Sequence, residues 1–374
     1  MSRFLIFYFV AYGGSHLYLL LKLSKGLGLG RSARIWLTLP LFLLFIAPIT
    51  ARTLESAGFE KLPELLSPVG YLWMGLLFLF ITAAVAVYII NAILYLIKRR
   101  TRILSPASQL MIAASYTIII GVYGWQEAKD IRSEKITLRS SKIPPAIGRI
   151  RIVQLSDVHV GQIVNEKRVT AMLDKVRSVS PDIIVVTGDL VDGHQRHLTG
   201  VDKLFAAVNP QLGKYAIMGN HEYYAGAADS INFMKKSGLI PLINENVKIG
   251  NFLFITGVDD SGKLADIAKN QVAERRLLDA AGENSFRILL KHRPVVAATS
   301  EGRFDLQLSG HVHKGQIFPF NFLTWMSFPV RAGLTKLDKG GYLYVSRGTG
   351  VWGPPIRFMA PPEVTVIDLL PALP

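Results

Sequence analysis

Hydrophobic residues are spread unevenly along this chain, and that unevenness constrains what it can fold into more than any other feature. Four apolar runs, at about Phe4–Leu21, Ile35–Ile49, Gly70–Ile97 and Leu104–Trp125, crowd the first third, each near bilayer-spanning length. The third is long and nearly free of polar residues. The second is short and interrupted by Pro40 and Pro48, and the fourth carries Ser108, Gln109 and Ser115. A buried soluble helix explains one such run, whereas a succession of them predicts an all-α bundle in lipid over residues 1–125, of about four spans. The first run begins after a single arginine, but no small-x-small cleavage site follows it, so it is read as a retained helix rather than a signal peptide.

The net charge of +15 raises the question of a nucleic-acid partner. Residues 1–124 hold eleven Lys or Arg against three Glu, leaving thirty-one basic and twenty-four acidic residues elsewhere, so over half of the excess belongs to the membrane part. No basic, aromatic-interleaved groove is evident outside it, and nucleic acid is not expected. The basic residues cluster at Lys22/Lys25/Arg31/Arg34 and Lys98/Arg99/Arg100/Arg102, while Arg52 and Lys61 between runs two and three are balanced by Glu55, Glu60 and Glu64. The positive-inside rule assigns both basic loops to the cytoplasm. With four spans, everything after Trp125 lies on the outer side; if the fourth run does not cross, it faces the cytoplasm. Only Asn91 and Gln109 stand out as polar within the runs, too little for a transport path.

Beyond the runs, Gln126–Ser141 is polar, with Ile131, Ile136 and Leu138 hinting at a first strand that Pro144-Pro145 ends; residues 126–148 are read as connector plus first strand. From residue 149 to 374, short β-branched runs alternate with helical ones, the pattern of an α/β domain. Strands are predicted at Ile150–Leu155, Ile183–Thr187, Lys214–Met218, Val247–Gly257, Phe286–Leu290, Leu306–Ser309, Gly341–Val345 and Val364–Leu369. Helices are predicted at Glu166–Val179, Val201–Val208, Ala227–Ser237 and near Ala265–Ala281. So many strands imply two packed sheets.

Just after the carboxyl ends of these strands come Asp157-Val158-His159, Gly188-Asp189-Leu190-Val191-Asp192, Gly219-Asn220-His221-Glu222, Lys291-His292-Arg293-Pro294 and Gly310-His311-Val312-His313. Loops at that end of an α/β sheet can aim side chains into one crevice. Five of the eight histidines fall in these motifs. Together they offer seven oxygen or nitrogen ligands, enough for two divalent cations, and with no cysteine in the chain neither disulfides nor thiolate ligands arise. Taken singly, each is weak. Asp157 and His159, two apart on an extended segment, would share a face; Asp189 can bridge two metals or merely cap a turn; each histidine is otherwise a core or surface residue.

In order, the series D-x-H, G-D-x-x-D, G-N-H-E, H and G-H-x-H resembles the calcineurin-like metallophosphoesterase superfamily over about residues 149–370. The Leu155–His159 start, the Gly257-Val258-Asp259-Asp260 segment and the hydrophobic N-terminal region are similar to its membrane-associated bacterial branch, phosphodiesterases or relatives of UDP-2,3-diacylglucosamine pyrophosphatase. The resemblance implies a two-sheet αββα sandwich. It implies one metal on Asp157, His159, Asp189 and His313, and a second on Asp189, Asn220, His292 and His311, bridged by Asp189. Two such cations about 3.5–4 Å apart activate a bridging hydroxide and neutralise phosphate oxygens. His221 is then suited to protonating the leaving group and Asp192 to orienting it. Mn is favoured, with Fe or Zn compatible with the same donors.

The expected function is a membrane-anchored hydrolase of a phosphomonoester or phosphodiester in a bacterial cell membrane, its catalytic domain outside. A lipid-linked or envelope ester would exploit the tether. Two alternatives stand beside it: a nuclease or cyclic-nucleotide phosphodiesterase, and a non-catalytic membrane receptor or scaffold that retains the fold. Substrate, metal and oligomeric state are not specified. Arg293 and Lys314 are candidates to grip phosphate or are solvated; Tyr223 and Tyr224 stack on substrate or pack beside their loop; His194 and His197 are exposed loop residues. The aromatic stretch Phe318–Val330 either rests on lipid or lines an acyl groove, or forms a satellite core under the sheet.

Overall fold

A computed structural model describes residue 6 and residues 8–98, 104–192, 198–260, 267–282 and 284–373. The chain divides into two compact units, Met1–Gln126 with Gly353–Phe358, and Glu127–Trp352 with Met359–Pro374.

The first unit is helical: α1 Gly14–Gly26, α2 Arg31–Ser56, α3 Lys61–Lys98 and α4 Pro106–Glu127. Among the described residues, α2, α3 and α4 are long and apolar enough to cross a membrane, one fewer than the four runs. The first run is divided at Gly13-Gly14 into a π-helical stretch, Tyr8–Gly13, and the thirteen-residue α1, about 20 Å of α-helix against a hydrocarbon core of about 30 Å. Its Phe4, Leu5 and Phe7 lie outside the described residues, as do Arg99, Arg100 and Arg102 of the second basic loop. Pro40 and Pro48 sit inside α2 without ending it. The two polar residues noted within the runs serve the α3–α4 turn: Asn91 Oδ1 accepts from the Leu104 N–H, and Gln109 Nε2 donates to the Leu104 carbonyl. His16, which composition did not single out, is held at both nitrogens, by the Tyr12 carbonyl and the Trp73 indole N–H.

The second unit is a four-layer α/β fold. Its first sheet contains β1 Arg132–Ser140, β2 Ile150–Leu155, β3 Ile183–Thr187, β4 Lys214–Ile217, β5 Ile240–Pro241 and β12 Glu363–Pro371. Its second contains β6 Glu245–Ile249, β7 Leu253–Gly257, β8 Phe286–Leu290, β9 Leu306–Ser309, β10 Gly333–Lys336 and β11 Tyr342–Val345. The strand orders are β1-β12-β2-β3-β4-β5 and β10-β11-β9-β8-β7-β6. The run expected as one strand over Val247–Gly257 is an antiparallel hairpin, β6 and β7, turning at Gly250 with φ +57°. β12 lies between β1, to which it is parallel with Arg132 opposite Glu363, and β2, to which it is antiparallel.

Both faces of the central strands are buried, which is why their apolar residues are not confined to alternate positions. Ile152, Ile183, Val185 and Ile217 meet Ile255, Ile288, Leu290 and Leu308 between the sheets. On the outer face of the first sheet, Val153, Ile184, Val186 and Ala216 pack with Val169, Met172, Leu173 and Val176 of helix α5, Glu166–Ser178, and Phe233 and Met234 of a later helix, Ala227–Lys236. Asn165 starts α5, its side chain accepting the Arg168 N–H. Leu278 of Ile267–Asp279 packs with Leu289 and Phe304 outside the second sheet. In chain order the remaining helices are α6 Val201–Ala206, α7 Asn220–Ala225, α8 Ala227–Lys236, α9 Ile267–Asp279 and α10 Asn321–Ser327.

Candidate metal centre

Five parallel strands end at one place. Asp157 and His159 follow β2, Asp189 follows β3, Asn220 opens α7 after β4, His292 follows β8, and His311 and His313 follow β9. Backbone bonds continue the strand ladders into these loops: Asp157 N–H donates to the Gly188 carbonyl, His159 N–H to that of Asp189, and Gly310 N–H to that of His292.

Asp157 and His159 are not on an extended segment as their spacing suggested. Both have positive φ, +52° and +55°, as do Asp189 at +52°, His311 at +71° and His313 at +46°. For residues with a Cβ this region is costly, and five instances around one point mark a backbone held by its surroundings. Close approach of main chains permits it. A Cβ on Gly310 would lie 1.9 Å from Ser156 Oγ and 2.2 Å from Asp157 Oδ2, and one on Gly219 would lie 2.3 Å from Asp189 Oδ1.

Two groups of ligand atoms result, Asp157/His159/His313 and Asp189/His292/His311, each with its atoms within 4.8 Å of one another, and a third group joins His159, Asp189 and His221. His159 Nε2 is 3.1 Å from His313 Nε2; His313 Nε2 is 3.4 Å from Asp157 Oδ1; His292 Nε2 is 3.2 Å from both Asp189 Oδ2 and His311 Nδ1. His292 Nδ1 lies 2.8 Å from the Thr187 carbonyl, which can only accept, so in the neutral ring Nε2 turns a lone pair toward carboxylate oxygen. Asn220 is buried, and its Oδ1 has no hydrogen-bond donor among the described residues. Facing acceptors and an orphaned amide oxygen fit cations between them. Oxygen and imidazole nitrogen are the donors that Mn, Fe or Zn accept.

The buried groups also shift one another's protonation. Burial opposes charge on His292, but Asp189 and Asp157 bring it up to about 10. Burial likewise favours a neutral Asp189, yet His292 holds it well below the carboxylate range. Burial pushes Asp157 up to about 6, His159 down to about 4 and His311 down to about 3.

His221 stands beside these groups. Its Nδ1 is 2.6 Å from Asp192 Oδ1, and its backbone N–H donates to Asp189 Oδ1 at 2.9 Å. Burial opposes its charge, but the Asp192 hydrogen bond raises it to about 9, leaving Nε2 protonated near neutral pH. Tyr224 and Trp352 stand edge-on to the His221 ring at 5.3 and 5.9 Å.

Glu222 had no assigned role in the sequence reading. Fully buried, it accepts four backbone N–H bonds: Oε1 from Leu190 at 2.6 Å and Val191 at 3.1 Å, Oε2 from Asp189 at 2.9 Å and Gly219 at 2.7 Å. It thereby clamps the Asp189 loop to the start of α7. Burial and Asp189 push its pKa up to about 7, but four backbone donors face it, so the geometry accommodates the carboxylate. A glutamate at the third helical position after Gly219 was the available signal. Ser156, whose Oγ donates to Asp157 Oδ2 at 2.5 Å, is a second residue passed over.

Arg293 pairs with Asp260 at 3.4 Å, and Tyr223 donates to Asp259. His194 and His197 fall outside the described residues. The Phe318–Val330 stretch divides: Phe328 and Val330 pack on a small core of Val312, Leu343 and Val345, whereas α10 buries no residue.

A profile described as calcineurin-like phosphoesterase matches residues 150–315. An uncharacterised metallophosphoesterase of Aquifex aeolicus is 37% identical over 253 residues, 67% of this chain and 97% of that protein. A transmembrane protein with metallophosphoesterase domain from Danio rerio is 28% identical over 70% of this chain, which spans 62% of that protein's length. Among solved structures, NAD nucleotidase of Haemophilus influenzae matches with TM-score 0.35 and 16% identity over 55% of this chain and 51% of its own. With the motifs gathered at the ends of five strands and a relative of this similarity matched over nearly its whole length, the chain belongs to the calcineurin-like metallophosphoesterase family.

Proposed function

We propose that the protein is a membrane-anchored phosphoester hydrolase working with two divalent cations, one on Asp157, His159, Asp189 and His313, the other on Asp189, Asn220, His292 and His311. The observation that carries this is the pair of ligand groups either side of Asp189, with the His221–Asp192 pair beside them. Cations bound there would activate water and offset phosphate charge. The chain's own residues do the rest. Asp192 fixes the His221 ring by accepting from Nδ1, so that Nε2 presents a proton to a departing oxygen. Glu222, by fixing the Asp189 and Gly219 backbones, holds the Asp189 carboxylate in place.

The positive-inside rule gives the orientation. With the basic loop before α2 and that after α3 both cytoplasmic, α4 leads the catalytic unit to the outer side, whether or not the first run crosses. Protease digestion of the catalytic unit in intact spheroplasts is the expected result.

Hydrolysis of an aryl phosphodiester by detergent-purified protein with Mn tests the activity. Asp189→Asn removes a charge shared by both sites and is expected to lower the rate about 100-fold or more. Equal rates in the two proteins would favour a binding scaffold instead.

A further inference from the structure

We infer that α10 and its flanks rest in the headgroup region of the bilayer, and that the substrate is a phosphoester carried on a membrane lipid. The second half of this rests on the hydrolase reading above; the first does not. α10 has no charged residue and no buried one. Phe322, Leu323, Trp325 and Met326 are 56, 58, 53 and 77% exposed. Tryptophan and phenylalanine without charge, flanked by Lys314 and Arg331, are the composition of an interfacial segment.

The helix is built onto the candidate metal centre rather than hung from a loose loop. A Cβ on Gly315, two residues after His313, would lie 2.4 Å from Asn321 Cα, so the start of α10 is packed on the turn that carries this ligand. Arg331 Nη1 donates to the Asn321 carbonyl at 3.1 Å, and the Phe328 ring meets that of His311 at 5.4 Å. Whatever α10 rests on is therefore held in register with His311 and His313.

A bilayer is the occupant that the chain itself supplies. α2, α3 and α4 are each long and apolar enough to cross one, and only Ala128–Ile131 separate α4 from β1. Four residues extend at most about 14 Å. A catalytic unit tied so closely to lipid meets it continually, and an uncharged aromatic helix is the part of its surface that lipid stabilises.

The absence of cysteine allows a clean test in the full-length protein. Met326→Cys and, as a control on exposed α5, Lys175→Cys are spin-labelled in phosphatidylglycerol liposomes, and accessibility to oxygen and to a nickel chelate is compared. The inference expects a lipid-phase ratio at 326 and an aqueous one at 175. An aqueous ratio at both, or spin–spin broadening at 326 from a second copy, overturns it.

A second arm compares 4-nitrophenyl esters of the same reaction type, one soluble and one hexadecyl, the latter in the liposomes. Phe322→Ser/Trp325→Ser is expected to keep the soluble rate within about twofold and to lose at least about tenfold on the lipid-borne ester. Equal retention or equal loss on both overturns the lipid-substrate assignment. If wild-type protein hydrolyses neither ester, the hydrolase reading fails, and with it the assignment of substrate, while the label still decides membrane contact.

Discussion

Glu222→Gln is the most exposed test of how the site is built, because the substitution changes one oxygen and no volume. The carboxylate accepts two backbone N–H groups at each oxygen, joining the Asp189–Val191 loop to Gly219. A glutamine amide can serve only one of these pairs; its NH2 must face the other. Two buried donors are left unpaired at about 1–3 kcal/mol each, or about 2–6 kcal/mol together. For a domain of this size that lowers Tm by at least about 4 °C and by as much as about 24 °C. Differential scanning calorimetry of the detergent-purified protein measures the shift, and metal content by mass spectrometry measures the loosening of Asp189. Glu222→Gln with Tm within about 1 °C of wild type and full metal content would refute the reasoning, since the four bonds would then contribute nothing measurable.

His221→Ala is expected to retain metal yet lose about 100-fold or more in kcat on an alkyl phosphodiester, whose leaving group needs a proton, and much less on a 4-nitrophenyl ester; equal losses on both would remove the acid role. A pH prediction comes from the far side of the fold. Arg151 donates to both oxygens of Asp368, at 2.7 and 3.0 Å, and holds that carboxyl below its usual value. A depressed carboxyl contributes stability that is full above the unfolded value of about 4 and is lost as pH falls through the folded one. Asp368→Asn should therefore lie about 2–3 kcal/mol below wild type at pH 7, with the gap closing as pH falls below about 4. Thermal unfolding across pH reads it, and a gap that persists under acid would show packing rather than charge.

The strand ends were legible because each ligand motif follows a short run, rich in apolar residues, that is buried on both faces, a purely local signal. Spacing misled where the backbone is not locally determined. Asp157 and His159 look like two residues on one face of a strand, but positive φ at both comes from main chains that approach from Gly188 and Gly310, distant in sequence. The hairpin within Val247–Gly257 had its signal in Gly250-Asn251, overridden by continuous apolar character on both sides. Glu222 sits inside a quoted motif, yet its four partners belong to two loops, and no one-dimensional pattern couples them. The aromatic stretch after His313 carried both readings because composition alone does not say which rings find partners. Phe328 does, on Val312 and Leu343, whereas Trp325 is left 53% exposed.

The pairing of β1 with β12 bears on how the protein is made. The strand synthesised first in the catalytic unit finds its hydrogen-bond partner in the one synthesised last, with Arg132 set opposite Glu363. Until that late segment has left the ribosome, the sheet lacks the strand between β1 and β2, and about 220 intervening residues must wait as an incomplete intermediate. Maturation of this unit is thus tied to completed synthesis, and a nascent chain stalled partway would expose an unpaired sheet edge to the quality-control machinery of the cell.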